Sequence, residues 1–116
     1  MDLLAQIILD VGSDEFYRAT RYKTNLVVVL VNSDDKHAFD ILERVTRQTD
    51  IVQQLNSALL VVYLPHTTED EAIHFVDKIH NELDFTYTLN EYNGNDFEFI
   101  YKLLVENSKK ASDLEL

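Results

Sequence analysis

Apolar residues recur along this chain at two spacings, and the alternation between them outlines its elements. Leu3, Leu4, Ile7 and Ile8 fall at helical spacing, so residues 2–10 read as an amphipathic helix. Val11-Gly12-Ser13 is expected to interrupt it, with a second helical stretch over 14–22. The run LVVVLV at 26–31 is continuously apolar and β-branched, the signature of a strand buried on both faces. Asn32-Ser33-Asp34-Asp35 supplies turn and cap chemistry before a helix over 37–48, whose Ala38, Leu42 and Val45 share a face. Residues 50–55 form a half-polar strand. Asn56-Ser57 predicts a tight turn, with Asn56 able to enter the left-handed region cheaply. Residues 58–64 are again continuously apolar. Thr68 and Glu71 form a T-x-x-E capping box for a helix carrying Ala72, Val76, Ile79 and Leu83 inward. Residues 85–89 alternate as a one-sided strand should. Asn93-Gly94 is a loop, 97–107 a last helix and 108–116 a frayed, flexible tail.

The central order is β-α-β-β-α-β. Its first and third strands are wholly apolar, and its second and fourth are mixed. A split βαββαβ arrangement places strands one and three centrally and two and four at the edges. Element order and strand polarity therefore point to the same fold class, α+β. The core is ferredoxin-like, an antiparallel sheet with its helices on one face, extended by an extra N-terminal helix and a C-terminal helix. One domain over 1–116 suits the length, and a chain of this size buries about two-thirds of its unfolded surface without staples.

Composition narrows the function. There is no cysteine, which excludes disulfides, thiolate catalysis and cysteine-held metals. Formal net charge is −11, from 21 acidic and 10 basic residues, a field that repels polyanions, so no nucleic-acid partner is expected. No run approaches the ~20 apolar residues of a membrane helix, so no membrane insertion is expected either. The first residues lack the basic start of a secretory signal, and a cytoplasmic location is the default.

Several segments share landmarks with one signalling family. Residues 15–25, EFYRATRYKTN, precede the first strand. Arg47 and Asp50 form an R-x-x-D pair ending a short step before Asn56. Leu64-Pro65-His66-Thr67 closes the hairpin, and Glu71-Ala72 follows. In this order and spacing they resemble the GGDEF (diguanylate cyclase) family over roughly 15–110, where an R-A-x-R-Y pattern precedes the first strand, R-x-x-D marks an inhibitory site and L-P-x-T ends the signature hairpin. The resemblance implies the split βαββαβ core and, at Arg47 and Asp50, a site for cyclic di-GMP.

The departures matter as much. Where the family carries Gly-Gly-Asp/Glu-Glu-Phe, this chain has Asn56-Ser57-Ala58-Leu59-Leu60. The family's glycines admit the nucleotide and its acids work with a divalent metal. Hard cations take oxygen ligands, and Ala58 and Leu59 offer none on their side chains. The first strand ends Leu30-Val31-Asn32-Ser33 rather than in the family's metal-binding Asp. The segment before R-x-x-D is shortened, and the D-x-L-T-x-L-x-N-R-R entry motif is missing. No catalytic residue, metal site or cofactor is expected, and the resemblance implies a domain that has lost cyclase activity.

Function is then expected through binding. In the first mode the domain forms a homodimer or engages a protein partner through the lead helix (Leu3, Leu4, Ile7, Ile8) or the altered hairpin. In the second it is a cyclic di-GMP receptor through Arg47 and Asp50, with Arg44, or Arg18 and Arg21, as further arginines. An Arg fork fits guanine O6 and N7, and an Asp accepts from guanine N–H groups. The local alternative is an i,i+3 ion pair at a helix end, which is favoured. Residual nucleotide chemistry ranks third. His37, His66, His74 and His80 lack metal-ligand spacing. The acids Asp34-Asp35 and Glu69-Asp70-Glu71 sit at helix starts, where the dipole favours them. Tyr87, Tyr92, Phe97, Phe99 and Tyr101 are expected in the core, with any exposed remainder marking a contact surface. Neither Gly12 nor Gly94 belongs to a phosphate loop.

Overall fold

The computed structural model describes residues 2–115, with side-chain surroundings for 2–110. Its order is α1 (Leu3–Tyr22), β1 (Leu26–Asn32), α2 (Ala38–Val45), β2 (Ile51–Asn56), β3 (Leu59–Pro65), α3 (Glu69–Ile79), β4 (Thr86–Glu91) and α4 (Asp96–Glu115). The strands form one antiparallel sheet in the order β2-β3-β1-β4. Strand polarity decides the positions: β1 and β3 are buried almost throughout, while β2 and β4 are half-exposed edges. The expected α+β core is the one observed.

The period-2 geometry of the two central strands divides the interior. Leu26, Val28 and Leu30 of β1, with Leu59, Val61 and Tyr63 of β3, face one side. There they meet Ala5, Ile8 and Phe16 of α1 and Phe99, Ile100 and Leu103 of α4. Val27, Val29 and Val31, with Leu60, Val62 and Leu64, face the other, against Leu42 of α2 and Ala72, Val76 and Ile79 of α3. The two helices of the βαββαβ core thus share one face, and the added terminal helices cover the opposite one. Each fully buried aliphatic side chain contributes on the order of 1.5–3 kcal/mol.

Five local expectations are corrected. The lead helix is continuous through Gly12, which does not break it. A Cβ at Gly12 would lie 2.7 Å from Tyr63 Cε2 and 3.1 Å from the Phe16 ring, so this glycine permits close packing of α1 on the sheet. The Tyr63 hydroxyl, buried beneath, donates to Ile8 O at 2.7 Å, and burial raises its pKa far above the ordinary value. The hairpin turn is Ser57-Ala58, one residue later than expected, after a register shift between Gln54 and Asn56. Asn56 does not enter the left-handed region; its Oδ1 accepts from Ala58 N at 2.9 Å instead. Finally, α2 stops at Val45, before Arg47, and α4 continues helically to Glu115 where a tail was expected from Ser108; of that tail, Leu116 lies outside the described residues.

Helix caps follow the sequence closely. Asp2 caps α1 by accepting from Ala5 N, and Lys23 ends it in the left-handed region. Thr68 and Glu71 form both hydrogen bonds of the capping box on α3.

Candidate functional site

Residues 47–50 form a turn that links α2 to β2, closed by Asp50 N donating to Arg47 O at 3.1 Å. Within it the Asp50 carboxylate accepts from Arg47 N at 2.8 Å, from Nη2 at 2.7 Å and from Nε at 3.1 Å. The same Nη2 reaches Pro65 O at 2.9 Å and Thr67 Oγ1 at 2.8 Å, where β3 ends. Thr67 Oγ1 in turn donates to Pro65 O at 2.9 Å. Between them His66 takes φ 53°, a left-handed conformation for which histidine is one of the more tolerant residues, and its N–H donates to Asn25 O. The R-x-x-D turn and the L-P-x-T segment are therefore one hydrogen-bonded unit at the base of the hairpin.

Exposure separates the two charges. The Asp50 side chain is 2% exposed and that of Arg47 54%. Asp50 raises the Arg47 pKa further, keeping it cationic. Both Asp50 oxygens are already engaged by Arg47, whereas Arg47 Nη1 has no partner among the described residues. The guanidinium lies at the edge of a cavity of about 290 Å³, which Thr67, Glu71, His74 and Lys78 also line. Glu71, His74 and Lys78 repeat at helical spacing on α3, a stripe visible in the sequence but unassigned there. The Glu71 carboxylate is held below its ordinary pKa by hydrogen bonds from Thr68 N and Oγ1, and by Arg47.

The remaining arginines do not converge here. Arg44 Nη2 donates to Glu82 at 2.7 Å, tying α2 to the segment after α3. Arg18 pairs with Glu15 at 2.8 Å on α1, and Arg21 lies 5.9 Å from the Tyr22 ring centroid. Of the expected ligand set only Arg47 and Asp50 meet, and they meet each other.

At the other end of the hairpin, Leu59 and Leu60 enter opposite cores. Leu59 pairs in register with Asn32 at the end of β1, and Ser33 N donates to Ala58 O at 3.0 Å. Asn107 of α4 seals this corner. Asn32 Nδ2 donates to Asn107 Oδ1 at 2.7 Å, Asn107 Nδ2 returns a bond to Asn32 Oδ1 at 3.2 Å, and Thr88 Oγ1 adds a third at 3.2 Å. Asn107 went unremarked in the sequence because its partners lie far away along the chain. Among the described residues, no group of three His, Cys, Asp or Glu side chains is placed to hold a metal ion.

The lead-helix surface is smaller than expected. Leu3 is 75% exposed and Ile7 half-buried, but Leu4 packs against the core and Ile8 is fully buried. Ile8 cannot serve as a contact residue while the fold is intact, because it fills the space between α1 and the sheet. Phe97 and Tyr101 are the exposed remainder of the aromatic group, while Tyr92 and Phe99 pack around Phe16 and Tyr87 is only partly buried. No helix among the described residues is long and apolar enough to cross a membrane.

No family model and no curated protein matches this sequence. Solved structures do match. The GGDEF domain of DgcB from Caulobacter crescentus, in complex with c-di-GMP, superposes with a TM-score of 0.67 at 9% identity, covering 88% of this chain and 84% of that one. Diguanylate cyclase SiaD from Pseudomonas aeruginosa, in complex with its activator SiaC, gives 0.64 at 14% identity over 94% of this chain and 58% of that one. PelD from Pseudomonas aeruginosa PAO1 gives 0.57 at 16% identity over 82% of this chain. The chain spans 41% of the PelD chain's length. The fold is that of the GGDEF domains.

Proposed function

We propose that this chain is a catalytically inactive GGDEF-like signalling domain that works by binding another protein. The observation carrying this reading is the tip of the hairpin. The resemblance expects metal-handling acids at Ala58 and Leu59; Leu59 is built into one core, and Leu60, where it expects a Phe, into the other. An acid at Leu59 would be a buried charge without a partner, which folded chains avoid. The β1 end beside it is occupied by a reciprocal amide pair, which provides no carboxylate for a hard cation. SiaD, with the same fold, was solved with a protein activator, which makes a protein partner a reasonable class. The test is incubation with GTP and magnesium or manganese: no cyclic di-GMP above a protein-free blank is expected, and turnover overturns the reading.

A second reading is supported by the Arg47 cavity. DgcB was solved with c-di-GMP, and here Arg47 offers an unused guanidinium edge beside His74 and Lys78. Against it, the Asp50 carboxylate is buried and saturated by Arg47, so a guanine could claim it only by displacing that pair. The net charge of −11 also opposes a dianionic ligand. Calorimetry with cyclic di-GMP on wild type and Arg47→Ala decides between these. No heat in either removes the receptor reading, and heat lost only in Arg47→Ala restores it over the ion-pair account.

A further inference from the structure

The face of α4 turned away from the sheet carries a groove that the Arg47 site does not use. It has a volume of about 820 Å³ and lies between α4 and the start of α1. Phe97, Tyr101, Leu104 and Val105 of α4 make its apolar wall at helical spacing. Phe97 is 63% and Tyr101 73% exposed, unusual for side chains of this size. Two aromatics and two aliphatics on one helical stripe are the composition of an interface centre rather than of a solvated surface.

The charges of the groove identify its occupant. Glu98 and Lys109 both line it, on the same helix. They stand about three turns apart, roughly 16 Å along the axis, and face nearly the same way. Among the described residues neither has a charged side-chain partner. Asp2, the other acid of the groove, is committed to capping α1 at Ala5 N. A stripe with an acid at one end, a base at the other and apolar side chains between is complementary to itself when reversed. The geometry points to a second copy of this chain as the occupant, docked with the two α4 helices antiparallel about a two-fold axis beside Leu104. This identifies the partner in the binding role proposed above and rests on that reading.

A two-fold axis makes each contact occur twice. Glu98 of each copy then meets Lys109 of the other, and the Phe97–Tyr101 wall of each packs on Leu104 and Val105 of the other. The net charge of each copy opposes association, but at physiological salt the Debye length is about 8 Å, so diffuse repulsion is screened while pairs in contact persist. Charge arrangement here sets register and partner choice more than affinity.

Sedimentation equilibrium of the full chain at physiological salt tests this. Wild type is expected at twice its 13.5 kDa mass. Tyr101→Glu is expected to weaken association about tenfold or more. Its urea midpoint, measured at a concentration where both chains are monomeric, should stay near wild type, because the side chain is exposed in the monomer. Glu98→Lys and Lys109→Glu should each weaken the dimer, and the double swap Glu98→Lys with Lys109→Glu should recover it. A wild type that remains at 13.5 kDa at its highest soluble concentration overturns the proposal, as does a Tyr101→Glu dimer of wild-type strength. A double swap without recovery overturns the antiparallel arrangement. Cyclic di-GMP made by a dimeric wild type would overturn the inactive-domain reading and leave the dimer standing.

Discussion

The two ends of the β2–β3 hairpin are built in opposite ways. At the tip, Ala58 and Leu59 take up the positions where the family resemblance expects acids, and Leu59 and the following Leu60 are each locked into a core. At the base, Arg47 and Asp50 keep the charged pair but turn it inward, onto each other and onto Pro65 and Thr67. In the proposed reading, one end packs where the family places its chemistry, and the other holds its charged residues as structure. On that reading the backbone frame is present while the segment no longer offers what a nucleotide or metal requires. Function must be argued from the site rather than from the fold.

The sharpest way to break this comparison is to put an acid into the apolar tip. Leu60→Asp buries a carboxylate in a fully apolar core and should cost more than about 4 kcal/mol, abolishing the folded state in urea melts or leaving it barely populated. Leu60→Ala should cost roughly 2–5 kcal/mol through the cavity alone. A tip that tolerated Leu60→Asp would show that the leucine is not structural.

At the base, Arg47→Ala leaves the buried Asp50 carboxylate without its partner. A loss of about 2–3 kcal/mol is expected, from the upper range for hydrogen bonds to charged groups, since Arg47 itself is half-exposed. Asp50→Ala should cost a similar amount, and the double substitution much less than the sum, because the two share one set of bonds. Additive losses in a double-mutant cycle would mean that the pair does not act as a unit. Beside the tip, Asn107→Ala removes the reciprocal amide bonds to Asn32 and the bond from Thr88, for an expected loss of about 1–2 kcal/mol.

The smallest effect is in the acid range. Hydrogen bonds from Thr68 hold Glu71 below its ordinary value of 4.5, with Arg47 adding to the effect. A carboxylate with a depressed folded pKa adds stability above its unfolded pKa, and that stability disappears as pH falls through the folded value. Glu71→Gln should therefore flatten the loss of stability below pH 4.5, read as urea midpoints against pH. An unchanged acid limb would separate Glu71 from the base of the hairpin.

Most of the fold was legible because its signals are local or periodic. The apolar runs of β1 and β3 announce central strands, and the Thr68–Glu71 box marks the start of α3. The misreadings have a common cause. Gly12 looks like a local break, but its role is set by Tyr63, far along the chain. Asn56 looks like a left-handed turn residue, but its side chain bonds Ala58 and shifts the turn by one. The site was half legible. The Arg47–Asp50 pair could be picked out by spacing, yet its anchoring to Pro65 and Thr67, the burial of Asp50 and the pairing of Arg44 with Glu82 depend on tertiary placement. Leu4 and Ile8 share helical spacing with the exposed Leu3, and only the sheet decides which of them face water.

The most direct test of the central claim is the tip's chemistry. Purified chain incubated with GTP and magnesium or manganese, followed by chromatographic detection of cyclic di-GMP, should give no product above the protein-free blank. Product formed in proportion to the chain added would contradict the account, because it would require metal and nucleotide handling beside Ala58, Leu59 and Leu60.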